Sequence, residues 1–235
     1  MEKQKLFKWK HYQPAIILLN VRWYLRYNLS FRDLVEMMEE RGLSIAHTTI
    51  MRWVHQYAPE LDERVRHHLK STNDSWRVDE TYIKVKGKWV YLYRAVDSKG
   101  HTIDFYLSES RDKQAAKRFF KKALAFSYVS KPRVITVDKN PAYPIAIQEL
   151  KEEKQMPQGI QLRKVKYLNN IVEQDHRFIK KRVYPMLGFK SLRTAKQIIA
   201  GIEAMHMIKK GQTLQEEKSV QNQKEFIHRL FEIAS

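Results

Sequence analysis

The sequence of 235 residues contains no cysteine. This absence excludes disulfide bonds, thiolate metal sites and cysteine nucleophiles, so any bound metal ion must have oxygen or imidazole ligands. Long apolar runs are also missing. The first ten residues, MEKQKLFKWK, lack the pattern of a secretory signal, and the apolar residues 15–19 are followed closely by Asn20 and Arg22. The sequence therefore predicts no membrane segment and a cytoplasmic location.

Acidic residues are few compared with basic ones. The chain has 44 Lys and Arg against 26 Asp and Glu, which gives a formal net charge of +18 and a pI near 9.9. Residues 76–210 carry most of this excess, with 29 basic and 13 acidic residues. Such a charge favours a polyanionic partner, because each cation placed against a phosphate releases condensed counterions. Nucleic acid is the first interpretation, and a basic ribosomal or membrane-surface protein is the alternative.

Three short helices are predicted in the first sixty residues. Apolar residues recur every three or four positions in residues 14–27, Ser30 and Asp33 have the spacing of a capping box, and Gly42 marks a turn before the third helix. This order resembles a helix-turn-helix, whose last helix enters the major groove of DNA. A helical bundle used for dimerisation is the alternative. The predicted DNA contacts on the third helix are His47, Thr48, Thr49 and Arg52.

The pattern changes to alternation after residue 75. Strands are predicted at residues 76–85, 89–96, 102–107, 133–138 and 162–165, and helices at 111–126, 142–150, 168–183 and 191–209. The order of the first eight of these elements, β-β-β-α-β-α-β-α, indicates a mixed α/β fold. The residues after 210 are amphiphilic and give no clear pattern.

Two aspartates lie in predicted strands, where an unpaired carboxylate is costly to bury. Asp79 belongs to the first strand and Asp138 ends the fourth, so the two carboxylates converge if these strands are neighbours. Glu173, on a later helix, can then complete a site for Mg²⁺, which requires oxygen ligands. Phosphodiester cleavage uses two such ions about 4 Å apart. The alternatives are turn-capping aspartates and an ordinary ion pair between Glu173 and Arg177.

Three segments together carry a resemblance to a known family. They are WRVDETY at residues 76–82, VITVD at 134–138 and YLNNIVEQDHR at 167–177. Asp138 and Glu173 are separated by 34 residues, and Lys180 follows the glutamate by seven. With these features, residues 14–210 resemble bacterial insertion-sequence transposases of the DDE superfamily, specifically insertion-sequence family six.

The resemblance implies a fold and an activity. The expected fold is an α/β ribonuclease H-like mixed sheet flanked by helices, preceded by an all-α helix-turn-helix domain. The expected reaction nicks the ends of a transposable element with a bound divalent metal and joins the freed 3′-OH to target DNA, forming a cointegrate. A repressor that binds DNA without cutting it, and a nuclease that does not join strands, remain the alternatives.

The resemblance also assigns residues and partners. Asp79, Asp138 and Glu173 are the expected catalytic metal ligands, for Mg²⁺ or Mn²⁺ and for two ions, with Lys180 as a further catalytic residue. Double-stranded DNA at the element's terminal inverted repeats and at the target is the expected partner of a homodimer or higher oligomer. Basic residues beside the glutamate would contact this DNA, namely Arg177, Lys180 and Lys181. We predict a helix-turn-helix domain at 1–58, a helical connector at 59–75, a catalytic domain at 76–210 and a tail of unassigned role at 211–235.

Overall fold

A computed structural model describes residues 6–138, 140–165, 170–215 and 219–233. The strands are β1 (Ser75–Val85), β2 (Lys88–Asp97), β3 (Thr102–Ser108), β4 (Val134–Val137) and β5 (Gln161–Lys164). The helices are α1 (Pro14–Arg26), α2 (Phe31–Glu39), α3 (His47–Arg66), α4 (Lys113–Leu124), α5 (Ala142–Glu152), α6 (Asn170–Val183), α7 (Leu192–Lys209) and α8 (Val220–Leu230). A 3₁₀ turn, Tyr184–Met186, follows α6.

The chain divides into two compact units. The helical unit comprises Met1–Leu69, Tyr184–Met186 and Ser191–Ser235, and the sheet unit comprises Lys70–Val183 and Leu187–Lys190.

Local sequence signals explain the first helices of the helical unit. Ser30 and Asp33 form the predicted capping box at the start of α2, because each side chain accepts a hydrogen bond from the other's backbone N–H. Gly42 ends this segment with a φ of +71°, a conformation that glycine adopts without steric cost. The three predicted amino-terminal helices are thus present.

The last two helices belong to the helical unit as well. α7 packs against α1 and α3, and α8 packs against α3. The boundaries of the compact units therefore differ from the boundaries predicted for the domains, which grouped residues 191–209 with the sheet. The tail also contains α8, a helix that the sequence pattern did not indicate. The physical reason is that the apolar face of α7 is buried by helices far away in the sequence.

The sheet unit is built on five strands in the order β3-β2-β1-β4-β5. β1, β2 and β3 are antiparallel neighbours, whereas β4 is parallel to both β1 and β5. This mixed sheet, with helices on its faces, confirms the predicted mixed α/β fold.

Alternation along the strands separates the two faces of the sheet. One face carries Trp76, Val78 and Tyr93, which form a buried core with aromatic and small residues of α4 and α5. The opposite face carries Asp79 and Arg94, which α6 contacts. The polar residues of β1 and β2 therefore lie beneath α6.

Within the described part of the chain, no helix is long and apolar enough to cross a membrane.

Candidate active site

Asp79, in the middle of β1, meets Asp138, which directly follows the carboxyl end of the parallel strand β4. The register of β1 and β4 pairs Arg77 with Thr136, and extending it by two residues sets Asp79 beside Asp138. One carboxylate oxygen from each aspartate, and one from Glu80, lie within 4.8 Å of one another. The predicted convergence of the two aspartates is thus present, and Glu80 joins them.

Glu80 lies in a different environment from the two aspartates. Its side chain is 2% exposed, compared with 18% for Asp79 and 32% for Asp138. It accepts hydrogen bonds from Arg111, from the amide of Asn140 and from the hydroxyl of Tyr143. Glu80 is therefore already coordinated by protein donors, whereas the aspartates are open to solvent.

Two of the residues that donate hydrogen bonds to Glu80 also contact Asp138. The backbone N–H of Asn140 donates to Oδ1 of Asp138 at 2.9 Å, and the guanidinium of Arg111 lies 3.5 Å from Oδ2. Burial, reinforced by the charge of Glu80, raises the pKa of Tyr143 well above its ordinary value, so its hydroxyl stays a donor. Glu80 thus fixes two groups that in turn fix the carboxylate of Asp138.

Arg111 links these carboxylates electrostatically. Burial lowers its pKa, but the charge and hydrogen bond of Glu80, together with Tyr82 and Asp138, outweigh burial and raise the pKa. The guanidinium therefore remains a permanent cation at the rim of the carboxylate pair.

α6 is held against the other side of Asp79. Nε2 of His176 lies 3.2 Å from Oδ2 of Asp79. One strand away, the fully buried Arg94 pairs with Asp175 of α6 at 2.7 Å, and its guanidinium lies 4.8 Å from the ring centre of Phe178. Arg94 is also the register partner of Asp79 on β2. Asp79 and Arg94, which are neighbours in the sheet, therefore contact two consecutive residues of α6.

The remaining predicted catalytic residues lie on the exposed side of α6. Glu173 is in the first turn of this helix, three residues before His176, and its side chain is exposed. It is not among the acids that the described structure brings together with Asp79 and Asp138. Arg177, Lys180 and Lys181 are exposed on the same helix. Residues 167–169 of this motif, ahead of α6, lie outside the described residues.

The predicted DNA contacts of α3 lie at its amino-terminal end. His47, Thr48 and Arg52 are exposed, and Thr49 is partly exposed. The apolar residues beside them face inward, since Ile50, Trp53 and Val54 are all buried. The helix therefore presents a polar face to solvent.

The carboxylate pair has the chemistry of a divalent-cation site. Mg²⁺ and Mn²⁺ bind oxygen ligands from one or two carboxylates and keep several waters, which suits two partly exposed aspartates. His176 adds an imidazole beside Asp79, and Arg111 adds a cation beside Asp138. A negatively charged substrate reaching the site would meet both an acidic pair and flanking basic groups.

Four residues of this site carried no distinct signal in the sequence. Asn140 follows the motif of Asp138 by two residues, and His176 lies within the motif of Glu173, three residues after the glutamate; these two spacings could have pointed to them. Arg111 and Tyr143 lie on other elements, and no local pattern connects either residue to the aspartates.

Comparison with known proteins agrees with this geometry. A family model described as a DDE domain matches residues 73–212, which is the class of protein that this fold and carboxylate pair define. A transposase for the insertion sequence-like element IS431mec of Staphylococcus aureus strain Mu50 is 39% identical over 87% of this chain and 88% of that protein. A Staphylococcus aureus transposase for the element IS257 in transposon Tn4003 has the same identity and coverage.

The chain therefore belongs to insertion-sequence family six of the DDE transposases. A solved structure of the HTLV-2 integrase catalytic core domain in complex with magnesium, in its dimeric form, is 19% identical. The structural alignment covers 62% of this chain and 96% of the integrase chain, with a TM-score of 0.44.

Proposed function

We propose that this transposase cuts DNA at the ends of an insertion sequence and joins the freed 3′-OH to target DNA, with Asp79, Asp138 and Glu173 as its catalytic carboxylates. The observation that supports this most directly is the convergence of Asp79, within β1, and Asp138, which follows the end of β4. A bound pair of Mg²⁺ or Mn²⁺ ions would activate the attacking oxygen and stabilise the leaving one.

Each residue of the site has a proposed part in this reaction. Asp79 and Asp138 hold the cations with their solvent-facing oxygens. Glu173 is proposed as the third carboxylate because residues three apart are neighbours on a helix and His176 contacts Asp79. α6 also carries three exposed basic residues, Arg177, Lys180 and Lys181. They would position the phosphates around the cut bond.

The helical unit would bring the element ends to this site. α3 is proposed to enter the major groove at the terminal inverted repeats, with His47, Thr48, Thr49 and Arg52 facing the DNA. Both ends of an element must be held together for joining, so the active species is proposed to be a homodimer or a larger oligomer. The joined product would be a cointegrate of the donor and target DNA molecules.

A cleavage and joining assay tests the catalytic proposal. The purified protein is incubated with labelled inverted-repeat DNA and a target plasmid, with and without Mg²⁺. We expect metal-dependent nicked and joined products that Asp138→Asn abolishes. The control is Asp74→Asn, which removes the charge of an aspartate that forms a surface ion pair with Arg133 in the same unit.

Each alternative predicts a different product. DNA binding without any cut, on the correct ends and with metal present, would make the protein a repressor. Cutting without joining would make it a nuclease. Joining that persists in Asp138→Asn would refute the assignment of the carboxylates.

A further inference from the structure

The turn end of the β1–β2 hairpin forms an exposed surface that the catalytic proposal leaves unused. The strand register pairs Tyr82 with Tyr91 and Lys84 with Trp89, so these four side chains share one face. Trp89 is 65% exposed and Tyr82 is 48% exposed, and the rings of Tyr82 and Tyr91 lie 5.2 Å apart. We call these four residues, with Lys86 in the turn, the hairpin surface.

The backbone of the β1–β2 hairpin is held in place by the segment that contains Gly188 and Phe189. Lys86 donates its backbone N–H to Phe189, and Phe189 donates to the carbonyl of Lys84, which extends the pairing of β1. Gly188 makes this approach possible, because a Cβ there would lie 3.0 Å from the carbonyl oxygen of Lys84. Its φ of +96° also favours glycine. The exposed aromatic side chains therefore belong to a strand pair whose backbone is fixed by these hydrogen bonds.

The charge of the hairpin surface limits what it can bind. Residues 81–93 contain three lysines and no acidic residue. The surface continues directly into the active site, because Tyr82 and Glu80 share a face of β1 and Glu80 pairs with Arg111. A ligand with flat apolar rings and a regular row of negative charges would complement both the exposed aromatic faces and the lysines.

DNA with unpaired bases has this combination of properties. Bases can stack on aromatic side chains only when they have left the duplex, and phosphates are contacted by lysines along the same strand. We propose that the hairpin surface binds unpaired nucleotides next to the phosphodiester that is cut, with bases on Trp89 and Tyr82 and phosphates beside Lys84 and Lys86. The placement of these nucleotides next to the cut bond rests on the proposed function, whereas the binding of unpaired DNA to the hairpin surface does not.

A binding assay without catalysis tests this proposal. Full-length protein is titrated in EDTA against a fluorescein-labelled 15-nucleotide oligo(dT) and against a duplex of the same length, and anisotropy is recorded. We expect Trp89→Thr to weaken oligo(dT) binding by about fivefold or more, as the loss of one stacked base would do, and to affect the duplex less. Trp89→Phe should retain most of the affinity because it keeps an aromatic ring.

Matched controls come from the same chain. Tyr27 is an exposed aromatic residue of the helical unit, and Tyr27→Thr should leave oligo(dT) binding unchanged. Lys99 follows the opposite end of β2 and is exposed. Lys84→Gln should reduce the slope of log affinity against log salt by about 0.7, whereas Lys99→Gln should not. Circular dichroism of each variant reports whether the fold is retained.

Two results would overturn the proposal. Equal affinities of wild type, Trp89→Thr and Trp89→Phe would mean that no base stacks on this surface, even if Lys84→Gln weakens binding through charge alone. An equal loss in Trp89→Thr and Tyr27→Thr would mean that the effect is not local. Because the assay contains no metal, either result leaves the cleavage test with Asp138→Asn unaffected.

Discussion

Glu80 connects the interior of the sheet unit with the solvent-facing carboxylate of Asp138. Its three protein donors leave it poorly suited to bind a cation, but two of them, Arg111 and Asn140, also contact Asp138. Residues that form hydrogen bonds to metal-binding side chains orient those side chains, and their loss commonly weakens metal affinity by about 10–100-fold. We therefore interpret Glu80 as a positioning residue.

Replacing Glu80 should change the metal requirement of cleavage more than its maximal rate. In Glu80→Gln the size of the side chain is kept, but the charge that holds Arg111 is lost. We expect the Mg²⁺ concentration for half-maximal cleavage to rise by about tenfold, with much of the rate restored at saturating Mg²⁺. The measurement is a Mg²⁺ titration of cleavage of labelled DNA ends.

Tyr143→Phe provides the matched variant, since it removes one hydrogen bond to Glu80 and leaves the carboxylate in place. It should shift the Mg²⁺ dependence in the same direction but by less. An unchanged Mg²⁺ requirement in Glu80→Gln would contradict the positioning role, and complete inactivity at every Mg²⁺ concentration would indicate that Glu80 is itself a ligand.

The sequence predicts part of this site because part of it depends on strand order alone. Asp79 and Asp138 converge whenever β1 and β4 are neighbours, and an aspartate at the end of an apolar run is visible in the sequence. The contact of His176 with Asp79 and the burial of Arg94 beneath α6 depend on how a helix docks on the sheet. Side-chain periodicity gives no information about that docking.

At the scale of elements, α4 and α5 are joined by a group of ion pairs. Glu149 of α5 accepts hydrogen bonds from Lys113 at 2.8 Å and from Lys117 at 2.9 Å, and Lys117 also pairs with Glu153. The hydrogen bonds from Lys113 and Lys117 lower the pKa of Glu149 from its ordinary 4.5 to about 2. The ionised form of Glu149 therefore favours the packing of these two helices.

This shift predicts a pH window for stability. Because the pKa of Glu149 is lowered in the folded protein, its contribution is complete above about pH 4.5 and is lost as the pH falls towards about 2. Glu149→Gln should therefore lower the Tm at pH 7, and the difference from wild type should shrink between pH 4.5 and pH 3. Thermal unfolding followed by circular dichroism measures both differences.

The control for this experiment is Glu152→Gln on the same helix, whose carboxylate accepts a hydrogen bond from the neutral amide of Gln148. Its Tm should follow that of wild type across the pH range. A Tm difference for Glu149→Gln that stays constant from pH 7 to pH 3 would show that the ion pairs do not produce the effect. Both glutamates are on the surface, so high salt should reduce the Glu149 effect.

Elements with strong local signals were predicted correctly from the sequence. The capping box of α2 and the alternation in β1, β2 and β3 are properties of adjacent residues, and these elements occur where expected. α8 was not predicted, although Ser219 caps it by accepting from Asn222 N–H. Its buried residues, Gln223, Phe226, Ile227 and Leu230, include a glutamine, which weakens the apolar pattern of an eleven-residue helix.

At the scale of the whole molecule, the helical unit is assembled from both ends of the chain. Gly201 of α7 lies where a Cβ atom would be 2.6 Å from the Cβ of Ala58 on α3 and 2.7 Å from Leu25 on α1. The missing side chain therefore allows α7 to approach both amino-terminal helices closely. No pattern within residues 1–58 could indicate this contact, because the partner helix lies more than one hundred residues away.

Gly201→Ala should therefore destabilise the helical unit. Alanine gains about 1 kcal/mol of helix propensity over glycine, but overpacking a close contact costs about 1–3 kcal/mol, and the neighbouring Cβ of Ala58 is fixed to its own helix. We expect a net loss of up to about 2 kcal/mol. Hydrogen exchange measured by mass spectrometry should show faster exchange in α1, α3 and α7, with β1, β2 and β4 unchanged.

Gly159→Ala is the matched substitution in the sheet unit, because no atom lies within 4 Å of the added Cβ and the backbone φ is not in the left-handed region. It should leave exchange in both units unchanged. If Gly201→Ala left α1 and α3 as protected as in wild type, α7 would not support them. If instead α1, α3 and α7 lose protection together, α1 and α3 depend on α7 for their stability, and a fragment that contains these two helices must include residues 191–209 to fold.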